Sequence, residues 1–183
     1  CLYNRSKPIH VGIDFNVDPM CCVIIQEQPN SPNIQVIDEI AMSADGGGTI
    51  LTERVCQEIK RRYPNNKYYA YPDCTGKSKH SSSRFSDIQI IQKQNFMVYA
   101  RHINPLVVNR VNSMNNNLAK GNMIIDPKCK GLIKDLEQVV NKEGTRDIDK
   151  TTNKELSHLS DALGYYTDFR YPTVRPVLGT TDR

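Results

Sequence analysis

Three aspartates are the residues with the clearest capacity for chemistry. Asp14 lies inside an otherwise apolar stretch, IHVGIDFN at 9–16, where a carboxylate is costly unless it is satisfied or near a strand end. Asp73 follows Tyr68-Tyr69-Ala70-Tyr71-Pro72, and Asp161 lies within HLSDALGYY. They are far apart in sequence, yet each sits at or beside an element expected to pack on a central sheet. Carboxylates gathered at one place repel each other unless cations bind between them, and hard oxygen ligands select magnesium or manganese. Two such ions, about 3.5–4 Å apart, activate a water and stabilise the leaving 3′ oxygen of a phosphodiester, with no covalent nucleophile. Residue types alone leave other roles open. Asp73, before Thr75-Gly76, reads first as a turn residue. Asp161 reads equally as a helix-face or helix-start residue. Asp14 is the hardest to explain as a bland side chain.

Other residues could support that chemistry. Lys77, Lys79, His80 and Arg84 follow Asp73 in a serine-rich loop and could touch phosphates, or simply keep a loop solvated. His158 is three residues before Asp161, so it shares a helix face with it. It could partner the metal site, although a packing or surface histidine is the plainer reading. Asp18 reads as a turn residue with Pro19, and the register of Glu39 is open. Arg110 sits mid-helix and reads as a structural brace. Gly46-Gly47-Gly48 reads as a flexible connection rather than a phosphate loop.

The elements that must position these residues follow from the apolar pattern. Residues 9–16, 20–27 and 33–41 are β-rich segments separated by turn signals at Asp18-Pro19 and Pro29-Asn30-Ser31-Pro32, which predicts an antiparallel meander. The pattern then alternates. Helices are expected from Thr49 to Arg62, from Phe85 to Gln92, from Asn104-Pro105 to about Leu118, from Pro127 or Lys128 to about Val140, and from Glu155 to Phe169. Strands are expected at Lys67–Tyr71, Phe96–Tyr99 and Met123–Ile125. The predicted fold class is α/β: a central mixed sheet, antiparallel in its first three strands and then parallel, flanked by helices. The expected organisation is an extension at 1–8, one domain at 9–169 and a loose tail at 170–183.

Bulk properties bound the function. A chain of 183 residues fits one domain with a real core. No apolar run approaches the roughly 18 residues of a membrane span, and the first residues lack a signal-peptide pattern. Because the chain opens on Cys1, it reads as a piece of a longer protein, or as a processed one. None of the six cysteines forms a C-x-x-C pair, which argues against structural zinc and for a reducing compartment. Between Lys60 and Arg101 stand nine basic residues and only Asp73 and Asp87 as acids, a local balance of +7 against +4 for the whole chain. Such an excess can attract a polyanion such as DNA.

Four segments, in order, carry a family resemblance. HVGIDFNVDPMCCVII resembles the opening strands of the nuclease domain of phage terminase large subunits. YYAYPDCTGKSK looks like that family's second-aspartate segment. INPLVVNRVNSMNNNL with MIIDPKCKGLIKDLEQV resembles its helix–strand–helix section, and HLSDALGYYTDFRYP its closing helix. The likeness runs from about residue 9 to 172. It implies a ribonuclease H-like fold in which Asp14, Asp73 and Asp161 are the catalytic, metal-binding triad, with Mg2+ or Mn2+, two ions, as cofactor. The implied activity is endonucleolytic cutting of concatemeric viral double-stranded DNA during packaging. The implied partners are an ATPase motor domain, a portal and a small terminase subunit, in the cytoplasm of the host cell. The motor itself is not expected within these residues: Thr75-Gly76-Lys77-Ser78 fails as a phosphate loop because its first glycine would fall at Tyr71. Two alternatives are a junction resolvase or integrase-type nuclease of the same fold, and a non-catalytic DNA-binding or motor-docking module.

Overall fold

The computed structural model describes residues 1–15, 18–44, 50–77, 85–138 and 157–173. Six strands, β1 (Ile9–Asp14), β2 (Met20–Glu27), β3 (Ile34–Met42), β4 (Tyr68–Pro72), β5 (Phe96–Val98) and β6 (Met123–Ile125), form one sheet in the order β5-β4-β1-β2-β3-β6. The first three pair antiparallel, and β4, β5 and β6 join in parallel. This is the mixed sheet that the alternation of elements predicts.

Helices cover both faces. Successive side chains of a strand point to opposite faces, so β1 sends Ile9, Val11 and Ile13 to one side and His10, Gly12 and Asp14 to the other. The first side is closed by α1 (Leu51–Arg62), through Val55, Cys56 and Ile59, and by α2 (Asp87–Lys93), through Ile91. The second is closed by α3 (Val107–Ala119), α4 (Lys130–Gln138) and α5 (His158–Arg170), which bring Met114, Leu132, Leu159, Ala162 and Tyr166 against Val23, Val36 and Tyr71. The adjacent Cys21 and Cys22 split between the two cores, as alternation requires.

Two predicted helix starts move. α3 begins at Val107, not at Asn104-Pro105, because Leu106 is extended and Asn104 instead accepts the Cys74 N–H through its side chain at 2.7 Å. α4 begins at Lys130, not at Pro127 or Lys128, because the Asp126 carboxylate first closes a turn on the Lys128 N–H. Asp73 to Lys77 is not wholly loop, since Cys74–Lys77 forms a 3-10 turn. Residue 155, where the last helix is expected to start, lies outside the described residues, as do the triple glycine 46–48 and most of the tail.

On the α5 side, the His10 ring is buried at 4% exposure among Tyr69, Tyr71 and Tyr166, with Nδ1 2.9 Å from the Tyr71 hydroxyl. Burial pushes its pKa from 6.5 down to about 4; Glu27 opposes this and Arg170 adds to it. The unfolded chain therefore binds a proton near pH 6.5 that the folded chain refuses. His10 costs nothing above that pH, and stability falls progressively between 6.5 and 4, by about 3 kcal/mol in all. Urea unfolding at both pH values should show this loss in the wild type in excess of that in His10→Phe, which has no proton to take up.

Candidate active site

Strand pairing sets two of the three aspartates side by side. In the parallel β1–β4 pair, Ile13 lies opposite Pro72, so Asp14 and Asp73 stand one residue further on at neighbouring strand ends. The Asp73 N–H continues the ladder to the Ile13 carbonyl at 3.2 Å, and the Asp73 carboxylate accepts the Phe15 N–H at 3.3 Å. Its other oxygen accepts the Thr75 N–H at 2.6 Å and the Thr75 hydroxyl. The turn role that residue types suggest for Asp73 is therefore real, and it coexists with a place at the end of the sheet.

The third aspartate arrives on α5. Gly12 allows this, since a Cβ there would lie 2.1 Å from the Ala162 carbonyl oxygen. Only a residue without a side chain lets the helix backbone settle on β1. The next residue back from Ala162 is Asp161, buried at 6% exposure. One turn earlier, the His158 Nδ1 is 3.0 Å from the Asp14 carboxylate. The Asp161 carboxylate meets the Arg110 guanidinium at 3.1 Å, and both side chains are more than nine-tenths buried.

The electrostatics place the three carboxylates in one field. Burial raises the Asp14 pKa; the His158 contact opposes this, while the charges of Asp161 and Asp73 raise it further. Tyr165 is also raised, first by burial; Arg110 opposes, and Asp73, Asp14 and Asp161 all add to it. Its ring lies under the Arg110 guanidinium at 4.5 Å. Three hard oxygen donors at the end of a sheet match what magnesium or manganese binds. As they stand, however, no three Asp, Glu, His or Cys side chains among the described residues converge as they would around an ion. Each aspartate instead has a donor of the protein itself: His158, Thr75 or Arg110.

Two further carboxylates hold the frame. Glu39 on β3 accepts the Gly131 and Leu132 N–H groups at 2.8 and 2.7 Å, which caps α4. Asp135 on α4 accepts the Leu159 and Ser160 N–H groups at 3.0 and 3.2 Å and so ties down the start of α5. Neither the role of Asp135 nor that of Tyr165 was anticipated from sequence. Asp135 sits three residues after the buried Leu132, on the core face of an amphipathic helix, and that placement was its available signal. An open cavity of about 410 Å³ beside the site is bounded by Asp18, Lys134, Asp135 and His158. A depression of about 800 Å³ lies at the opposite end of the sheet, and its lining carries no carboxylate. Lys79, His80 and Arg84 lie outside the described residues, as does the side chain of Lys77.

No protein-family model and no curated protein match this chain. Solved structures do. The fold is ribonuclease H-like, and it is that of the nuclease domains of phage large terminases. The P22 large terminase nuclease domain superposes with a TM-score of 0.67 at 13% identity, over 94% of this chain and 86% of that one. The SPP1 large terminase nuclease domain, with bound Mn, gives 0.54 at 17% identity, over 86% and 84%. A large terminase from a thermophilic bacteriophage gives 0.67 at 12% identity, over 91% of this chain but 41% of that one. The chain therefore spans about two fifths of the length of that thermophilic phage protein. At these identities the likeness establishes the fold, and the site rests on its own geometry.

Gly12→Ala should push α5 off the sheet, since a backbone carbonyl cannot rotate away as a side chain can. The expected destabilisation is about 1–3 kcal/mol, read as a lower melting temperature, while Gly121→Ala, with open space around it but a positive φ, should cost less.

Proposed function

We propose that this chain is a divalent-metal-dependent endonuclease that cuts double-stranded DNA. The observation that carries the reading is the meeting of Asp14 and Asp73 at adjacent strand ends with Asp161 on the helix packed over them. The nuclease fold supports it, and so does the SPP1 relative that binds Mn. In this reading Asp14, Asp73 and Asp161 hold two Mg2+ or Mn2+ ions. When bound, such ions lower the pKa of a water and offset charge on the transferring phosphate. His158 orients the Asp14 carboxylate through the contact at 3.0 Å and can carry a proton at the edge of the open cavity. Lys77, Lys79, His80 and Arg84 bind backbone phosphates and thereby set the position of the duplex but not its sequence.

The biological setting we propose is viral genome packaging. Residues 9–169 form the nuclease domain, between a short extension and a tail. The full protein adds an ATPase motor, meets a portal and a small terminase subunit, and cuts concatemeric DNA in the cytoplasm of the host cell. The terminase fold and the ordered motif resemblance support this setting.

Asp14→Asn should reduce plasmid cleavage in Mg2+ or Mn2+ on the order of 100-fold or more, with no drop in melting temperature. Full cutting by a folded Asp14→Asn protein would remove this residue from the chemistry. A wild type that binds duplex DNA but never cuts it in either metal would make the chain a binding module. His158→Ala should lose roughly 10–100-fold, with duplex binding retained.

A further inference from the structure

The chain between β5 and α3 leaves the sheet at the same end as Asp73, because β4 and β5 are parallel. It is fixed at four points. The Tyr99 N–H donates to the Ala70 carbonyl at 2.8 Å. The Arg101 guanidinium donates to the Asp168 carbonyl at 2.9 Å, pairs with its carboxylate at 2.7 Å and lies over the Phe169 ring. The Asn104 side chain accepts the N–H of Cys74, the residue after Asp73, at 2.7 Å. The Leu106 carbonyl accepts the first N–H groups of α3, from Asn109 and Arg110. Pro105 stiffens the step between the last two anchors. This fixed loop nevertheless holds two large aliphatic side chains in solvent, Ile103 at 80% exposure and Leu106 at 69%. A single exposed aliphatic needs no explanation. A free loop would fold such side chains back onto the surface, whereas anchors on either side hold these two out.

The surroundings indicate what the two side chains meet. No Asp or Glu occurs from Ile88 to Ile125, a stretch that contains Lys93, Arg101, Arg110 and Lys120. The exposed face of α3 carries Asn112, Asn115 and Asn116. A surface for a protein partner has no need to exclude carboxylates, but one laid against phosphates does. Phosphate binding alone, in turn, has no use for aliphatic tips. Aliphatic side chains set among cationic and amide groups are the combination that enters the minor groove, slips between base steps and kinks the duplex.

We propose that Ile103 and Leu106 form a wedge that enters the minor groove of duplex DNA and bends it beside Asp73. The inference rests on the nuclease reading above and adds to it a basis for where the cut falls. Unstacking costs least at TA and CA/TG steps and most in stiff A-tracts. The wedge therefore selects sites by deformability, with no base read through hydrogen bonds. Ile103 and Leu106 are positioning residues: they shape the duplex and do not touch the reacting phosphate.

The test is a binding measurement on the intact chain, with Ca2+ in place of Mg2+. The probe is a duplex of about 20–30 bp with a fluorophore at each end and a fluorescent adenine analogue at a central TA step. Wild type should bend it by roughly 20–90°, read as energy transfer, and should brighten the analogue as it unstacks. Replacing the TA step by an A-tract should weaken binding about ten-fold. The double variant Ile103→Ser with Leu106→Ser changes only side chains in solvent and should keep the wild-type melting temperature. It should still bind, but leave the duplex straight and hold both sequences equally, and in Mg2+ it should cut without the wild-type preference for TA and CA/TG steps. Ile103→Met with Leu106→Met, still apolar, should bend DNA as the wild type does. Equal bending by the wild type and the serine variant would overturn the proposal and leave the two side chains to a protein partner. A wild type that cuts duplex in Mg2+ yet never bends it would also overturn it, with the nuclease reading intact. A wild type that neither binds nor cuts duplex would overturn the nuclease reading as well.

Discussion

The backbone of α5 rests on the backbone of β1, with Gly12 beneath the Ala162 carbonyl oxygen and no side chain between them. Almost everything at the candidate site descends from that contact. It fixes the depth at which α5 lies and places Asp161 and His158 over the end of β1, where Asp14 stands. It also turns Tyr166 down onto His10 and Tyr71, which packs the same face further along. A helix held one side chain further away would leave each aspartate in its own solvent, with no common field. The contact is reinforced from the side by Asp135, which receives the first N–H groups of α5, and by Glu39, which does the same for α4. Carboxylates at helix starts meet the positive end of the helix dipole, so these two acids stabilise the frame that carries the site.

Bringing three carboxylates together is unfavourable, and the protein offsets it locally. His158 meets Asp14, Thr75 and a backbone amide meet Asp73, and Arg110 meets Asp161. These donors keep the site foldable when no cation is present. They also mean that a bound cation must compete with, or be added to, contacts that already exist. In the proposed reading, affinity for metal would be set as much by these partners as by the aspartates, which is the usual consequence of an outer layer of donors. Arg110 differs from the other two in kind. Histidine and threonine can turn aside at small cost, whereas a guanidinium packed between α3, Gly164 and Tyr165 has nowhere to go.

The ribonuclease H-like sheet gathers these carboxylates because it ends two parallel neighbours, β1 and β4, at the same level. Parallel pairing is what puts Asp14 and Asp73 side by side. The antiparallel meander on the other flank of β1 supplies a rigid backing, with Cys21 opposite Asp14. The apolar interior on the far face packs β1 and β4 against α1 and α2.

Much of this was legible in the residues. The period-two and helical patterns determined the order and type of the elements, the mixed sheet and the split of Cys21 and Cys22 between two cores, because burial selects side chains by the periodicity of the backbone. The awkward carboxylate at Asp14 was visible because charge in an apolar strand needs a reason. The two shifted helix starts were not legible, since Asn104 and Asp126 used their side chains for local turns that propensity alone does not resolve. Nor was the company each aspartate keeps. His158 was legible only as a candidate partner on the helix face of Asp161, and Arg110 only as a brace, because nothing in a linear chain says that α3, α5 and β1 meet at one point. Sequence determines which side chains a strand or helix presents to the core; only the packed tertiary structure decides which charges end within a few ångströms of each other, because electrostatic energy depends on distances that the chain closes only when it folds.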